Sequence, residues 1–345
     1  MSDNFRHLLP TSNVTSTIIP STESPLTENH VDRLAPYISI IVLSVLTILF
    51  NSAIVLVIPF YPNLRSRNSN KFLLNLMISN LCVGLVMLCY GAVVLSFNAA
   101  EHTDQNHSKP PASISLMFGV LILLSVMNMI ILTGDRLYAV KWTFRYFDSI
   151  TSRRIHTVIV LPWVISFVYF IVLVTLINIG NDHTKDIVQH IIYISFDFIA
   201  IVGFLTLTVS SSVIYREARI QLLRIARTSV TSSIIKAGIK QDKDKTLKVR
   251  ELRLAVINVG LVIKFVVFWL PTLATMTYHL IYEAATSEFV EYLSLHLVLV
   301  NCVCDPTVYV LLSRDIHRAI LHLTLGKEVT DLFPIIRKND KAELV

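Results

Sequence analysis

Apolar residues along the chain gather into seven long runs parted by short polar intervals. The runs fall at about 37–60, 71–97, 113–139, 155–179, 190–214, 252–280 and 289–312, each reaching the ~20 residues a helix needs to cross hydrocarbon. In lipid a chain must satisfy its backbone polar groups internally, and a helix does so within one segment. The pattern predicts an all-α membrane protein, a seven-transmembrane helix bundle. No internal repeat relates the runs, and the intervals leave no room for a second soluble domain. After the seventh run comes the amphipathic stretch SRDIHRAILHLTLG. It is expected to lie along the inner leaflet as a short helix, with Ile316 and Ile320 facing lipid. The chain then divides into a polar tail (1–36), the bundle (37–312) and a cytoplasmic helix with its tail (313–345).

Composition argues against a soluble fold. Of 345 residues, 53% are hydrophobic and 16% charged, whereas soluble domains are about one quarter charged. The net charge of +6 does not indicate nucleic-acid binding, because the basic residues sit between apolar spans. Cys82, Cys89, Cys302 and Cys304 all fall inside apolar runs, so no outward disulfide framework is drawn, and they are expected to be small buried apolar residues. The amino-terminal tail is rich in Ser and Thr and lacks the basic start and apolar run of a signal peptide. The first span is therefore expected to act as the targeting signal.

Orientation follows from the short loops, since Lys and Arg favour the cytoplasmic side. Arg65, Arg67 and Lys71 follow the first run, and Lys141, Arg145, Arg153 and Arg154 follow the third. A strongly basic segment, 216–253, separates the fifth and sixth. The opposite loops are acidic or mixed, with Glu101, Asp104 and Lys109, then Asp182, Lys185 and Asp186, then Glu283, Glu288 and Glu291. The amino terminus is thus expected outside, in a multi-pass protein of the plasma membrane. The glycosylation sequons at Asn13 and Asn106 fall on that same side.

Ionisable residues within spans are costly and mark function. The third run ends in Asp135-Arg136-Leu137, which alone also fits an ordinary snorkelling flank. The sixth opens on Glu251 and carries Phe265, Phe268, Trp269 and Pro271; the seventh carries Asp305-Pro306-Thr307-Val308-Tyr309. With Asn51, Trp163 and Tyr215, these motifs make the chain similar to the rhodopsin-like family of G-protein-coupled receptors, over about residues 35–325. Leu137 replaces the family's Tyr, Phe268 its Cys, and Asp305 its usual Asn.

The resemblance implies a heterotrimeric G protein and an extracellular ligand as partners. It implies that Asp135 and Glu251 hold Arg136 at rest. The sixth span would then swing about Pro271, where a helix hydrogen bond is missing, and Arg136, Tyr215 and Tyr309 would line a cleft for the G protein. It implies further that Asn80, Ser125 and Asp305 stand at an ion site, with Asn and Asp exchanged between the second and seventh spans. Phe118 occupies the place of the Asp that pairs an amine ligand, and Leu299 that of the retinal-bound Lys. A typical biogenic amine and retinal are both expected to be absent. Pro111 stands near the place of a Cys that the family ties to the second outward loop, and that loop has none, so the usual disulfide is missing. Phe118, Asp197, Trp269, Tyr278, His279, Tyr292 and His296 are the candidate ligand residues, although such aromatic and His residues also serve as interfacial anchors.

Lys264 is unusual, a lysine in mid-span. A buried ammonium needs a partner, and the expectation is that it approaches Asp305 and replaces sodium as counter-charge, or else snorkels to a water pocket. No Ser/His pair or metal-spaced cluster lies in the spans, so neither an enzyme nor a cofactor is expected. A transporter would show broken helices in two related halves, which are not evident. A receptor-like scaffold without its own agonist is the remaining alternative.

Overall fold

A computed structural model describes residues 28–100, 112–142, 151–179, 182–232, 239–282 and 287–330. All the regular structure among them is helical. In chain order the elements are α1 (Glu28–Phe60), α2 (Pro62–Arg65), α3 (Asn68–Ala100), α4 (Ala112–Lys141), α5 (Ser152–Ile179), α6 (Asp182–Ser232), α7 (Ile239–Tyr282), α8 (Glu288–Leu312) and α9 (Arg314–Thr330). Seven of these are long and apolar enough to cross a membrane: α1 and α3 to α8. The sequons at Asn13 and Asn106, and the Arg145 flank, lie outside the described residues.

Burial sorts the helices into centre and rim. In α4, 72% of the spanning window is buried, in α5 only 17%. α4 is thus the axis of the bundle, packed on α3, α5, α6 and α7. α5 turns Val160, Leu161, Val164, Phe167, Val168, Ile171 and Val172 outward, a surface that water would reject and lipid accepts. The ring closes where α8 packs back on α1. Gly84 on α3 permits a close approach to α1. A Cβ there would meet Ile48 Cγ1 and Thr47 Cγ2 at 3.1 Å and the Ser44 carbonyl at 3.3 Å. Lipid gives little hydrophobic drive between helices, so such small-residue contacts matter more than in water.

Two helices outrun their apolar runs. α6 spans 51 residues and α7 spans 44, well past the segments that hydrocarbon requires. Hydropathy reports only the part in lipid. The continuation of α6 through Arg216-Glu217-Ala218-Arg219 holds good helix formers and neither Pro nor Gly, so nothing stops the helix at the interface.

The amphipathic segment forms α9, which follows an extended Ser313. Its orientation differs from the expectation. Ile316 is only 3% exposed and joins the core with Leu64, Phe72 and Tyr309, and Ile320 is half-buried against that core. Two polar ties press this face inward: Arg67 Nη1 to Asp315 Oδ2 at 2.5 Å, and Tyr61 Oη with His322 Nδ1 at 3.0 Å. The cysteines also divide. Cys302 is buried, Cys82 and Cys304 are intermediate, and Cys89 is exposed on the lipid-facing surface; all four are free thiols.

Candidate functional site

Polar side chains inside a lipid-embedded bundle need partners from other helices, and their pairings divide the interior into three levels. At one end of the bundle Asp135 and Arg136 lie in the last turns of α4, both buried. Arg136 Nη2 lies 3.8 Å from Asp135 Oδ2, and the same oxygen accepts the Ser69 hydroxyl of α3 at 3.0 Å. Arg136 shares a small cavity with Tyr309 of α8, Arg67, Ser69 and Asn70. Tyr309 is buried beside it at 5% exposure. Tyr215 does not join them. Its α6 neighbours Ile214, Ala218 and Ser211 face the bundle, and Tyr215 is 51% exposed on the opposite face. The helical period leaves Tyr215 toward lipid unless α6 rotates. The Glu251 side chain lies outside the described residues, so the bridge expected from Arg136 is not among the contacts seen.

At the middle level Asp305 is the hub. Its Oδ1 accepts from Lys264 Nζ at 2.6 Å and its Oδ2 from Asn80 Nδ2 at 2.9 Å. Lys264 Nζ also donates to the Asn301 carbonyl at 2.9 Å. The Asp305 side chain is 1% exposed and that of Lys264 13%. The ammonium of the chain itself therefore neutralises this carboxylate. Ser125, also buried, donates to the Leu121 carbonyl at 3.1 Å within its own helix. Pro306 is buried next to Asp305. Sequence reasoning missed the surrounding amide network. Asn75 Nδ2 donates to Asn128 Oδ1 at 2.7 Å, Trp163 Nε1 to Asn75 Oδ1 at 2.9 Å, and Asn51 Nδ2 to the Cys302 carbonyl at 3.1 Å. Asn258 Nδ2 donates to Thr133 Oγ1 at 3.2 Å, joining α7 to α4. The signal was present, since an Asn within an apolar span needs a partner. What was missing was the partner's identity.

At the opposite end of the bundle the seven candidate ligand residues separate. Tyr292 and His296 of α8 turn to α1. The Tyr292 hydroxyl meets that of Tyr37, their rings edge-on at 5.4 Å. His296 Nδ1 approaches the Tyr292 carbonyl and Nε2 approaches the Ser39 hydroxyl, each at 2.6 Å. The Tyr292 carbonyl can only accept, so Nδ1 donates to it, and the Ser39 hydroxyl that meets Nε2 also reaches the Pro36 carbonyl at 2.8 Å. These two residues thus fasten α8 to α1. Tyr278 is 42% exposed and packs on Tyr282 at 4.8 Å, as an interfacial aromatic does. Trp269 is buried, with Phe265 at 5.3 Å and Phe196 at 6.4 Å. Asp197 of α6 is buried and accepts Thr277 Oγ1 of α7 at 3.0 Å. Its Oδ1 and Trp269 Nε1 have no hydrogen-bond partner among the described residues. The side chains of Phe118 and His279 lie outside the described residues.

Among the described residues no group of three or more His, Cys, Asp or Glu is placed to hold a metal. Charges and amides in this arrangement pair across different helices.

Comparison with known proteins agrees with this geometry. Residues 50–309 match the family described as "7 transmembrane receptor (rhodopsin family)". Among curated relatives is the histamine H2 receptor of Rattus norvegicus, 27% identical over 292 residues, covering 81% of this chain and 76% of that one. The histamine H2 receptor of Cavia porcellus is 25% identical over 293 residues, with the same coverage of 81% and 76%. With the family match running from the middle of α1 to Tyr309, and with seven spanning helices in place, the chain belongs to the rhodopsin family of seven-transmembrane receptors.

Proposed function

We propose that the chain is a plasma-membrane receptor, with its amino terminus outside and glycosylated at Asn13 and Asn106. On this reading it transduces an extracellular ligand into activation of a heterotrimeric G protein. The observation that carries it is the shared cytoplasmic cavity of Arg136 and Tyr309, with Asp135 beside the guanidinium. A guanidinium released from its carboxylate offers a fork of donors to the carbonyls and carboxylates of a docking helix. Ligand would bias the bundle between two packings, because it binds one better than the other. Glu251 and Asp135 hold Arg136 at rest, and Pro271 supplies the weak point of α7.

The test is guanine-nucleotide exchange by each class of G protein on membranes bearing the surface-expressed receptor. Exchange above that of empty membranes with at least one class is expected. Its absence with every class, at verified surface expression, would favour the scaffold reading.

For the ligand, Phe118 at the amine-pairing place argues against a typical biogenic amine. A second reading takes a small protonated amine, the class to which the two relatives' names point, with Asp197 as its counter-charge. The observation favouring it is the unpaired, buried Asp197 Oδ1. Histamine titrated into the exchange assay separates the two. A response that Asp197→Asn removes supports the amine, and no response in the wild type rejects histamine.

A further inference from the structure

Lys264 and Asp305 lie on different helices, each beside a proline. Lys264 precedes Pro271 by seven residues on α7, about two turns toward the cytoplasm, and Asp305 directly precedes Pro306 on α8. A proline removes a helix hydrogen bond and weakens the helix locally. The pair thus joins the two segments on the cytoplasmic side of one weak point and at the edge of another. Its contact is short, 2.6 Å, and the carboxylate is almost fully enclosed. Around it gather further acceptors. Asn80 Oδ1 and Asn301 Oδ1 have no hydrogen-bond partner among the described residues, and Asn80 spends its amide N–H on Asp305. So acceptor-rich a cluster demands a cation, and the chain supplies one on a tether.

We propose that Lys264 is a built-in counter-cation whose ion pair with Asp305 locks α7 to α8 in the resting bundle and opens when the receptor switches. A mobile ion could leave the cluster as the helices move. A tethered ammonium cannot, so separating α7 from α8 parts two charges in a medium that solvates neither. The pair therefore weights the resting packing against any arrangement in which the cytoplasmic half of α7 has moved outward. Asn80 on α3 holds the other carboxylate oxygen, so Asp305 stays fixed while Lys264 travels with α7. The Asn301 carbonyl, one turn from Asp305 on α8, is the second contact that Lys264 gives up.

The inference rests on the receptor reading, so its test carries one readout that needs no G protein. Spin labels at the cytoplasmic ends of α5 and α7 report the separation of those helices in purified full-length receptor. Nucleotide exchange per surface receptor reports coupling. Lys264→Leu and Asp305→Asn are each expected to populate the longer label distance without ligand. Each should also raise basal exchange about fivefold or more, the low end of coupling between two-state elements. Lys264→Asp with Asp305→Lys restores a pair in reverse and is expected to return both readouts toward wild type. Should a lone buried charge prevent folding of a single variant, the neutral double Lys264→Leu with Asp305→Asn leaves no orphan and is expected to behave like an unlocked receptor. Wild-type label distances in the double variant would overturn the lock. A shifted label distance with no exchange in any variant would uphold the lock and reject G-protein coupling.

Discussion

Replacing Arg136 with alanine is expected to lower nucleotide exchange sharply while leaving the receptor folded and at the cell surface. The side chain is buried near the C-terminal end of the central helix, beside Tyr309 and against Asp135. Its 3.8 Å separation from Asp135 is long for a charge-assisted hydrogen bond, which commonly measures about 2.7–2.9 Å. The guanidinium therefore meets this carboxylate as an ion pair rather than a short hydrogen bond. Asp135 keeps the Ser69 hydroxyl when Arg136 is lost, and the alanine variant should still assemble. A hydrogen bond to a charged partner contributes about 1.5–3 kcal/mol, so losing it at the docking surface lowers exchange by roughly ten- to a hundredfold. Asp135→Asn is expected to act in the opposite direction, raising basal exchange by weakening the hold on Arg136. Both variants are read against surface expression in the same cells. Undiminished exchange in Arg136→Ala would remove the guanidinium from the proposed docking surface.

Phe265→Ala is expected to lower thermal stability while leaving the bundle folded. Phe265 is 1% exposed, edge-on to Phe204 at 5.9 Å and stacked with Trp269 at 5.3 Å. This aromatic column joins α6 to α7 just below Pro271, so its loss leaves a cavity where the helices meet. In water such a truncation costs ~3–5 kcal/mol, of which part is transfer from solvent. An unpacked span here remains in lipid, so the transfer part is missing and the lost dispersion contacts remain. The cost is roughly 2 kcal/mol on that account, from the cavity part alone. A thiol-reactive fluorophore reads the melt, because Cys302 is 3% exposed when folded, while the exposed Cys89 sets the baseline. The alanine variant is expected to unmask Cys302 at a temperature several degrees lower, and Phe265→Leu to recover most of the loss. An unchanged melt would mean that neighbouring side chains close the gap.

Much of the molecule was readable before any coordinates. Seven apolar runs of spanning length became seven spanning helices, because the length that hydrocarbon demands is a property of each segment alone. The membership of Asp135, Arg136, Phe265, Trp269, Asp305 and Tyr309 in one ordered set was legible too, since their order and depth are linear features. Direction around a helix was harder. Tyr215, expected to line the cleft once the sixth span has swung, is exposed in this arrangement; Ile316 was expected toward lipid and is buried. In a span that is apolar all round, the sequence holds little information on which face meets the neighbours, and in the amphipathic α9 it marks an apolar face without saying whether lipid or the bundle covers it.

Partner choice was decided by the tertiary structure. Tyr292 and His296 fit a ligand pocket equally well in the sequence, and it is the approach of α8 to α1 that gives them Tyr37 and Ser39 instead. For Lys264 in mid-span the sequence left two outcomes, approach to Asp305 or a water pocket. Only the packing of α7 on α8 put Asp305 within 2.6 Å of it. What the sequence determined by itself was the topology and the need for each buried polar group to be satisfied, because both follow from the cost of polar atoms in lipid. Which helix satisfies which group depends on the rotation and spacing of neighbouring helices, and those arise only when side chains from distant segments pack together.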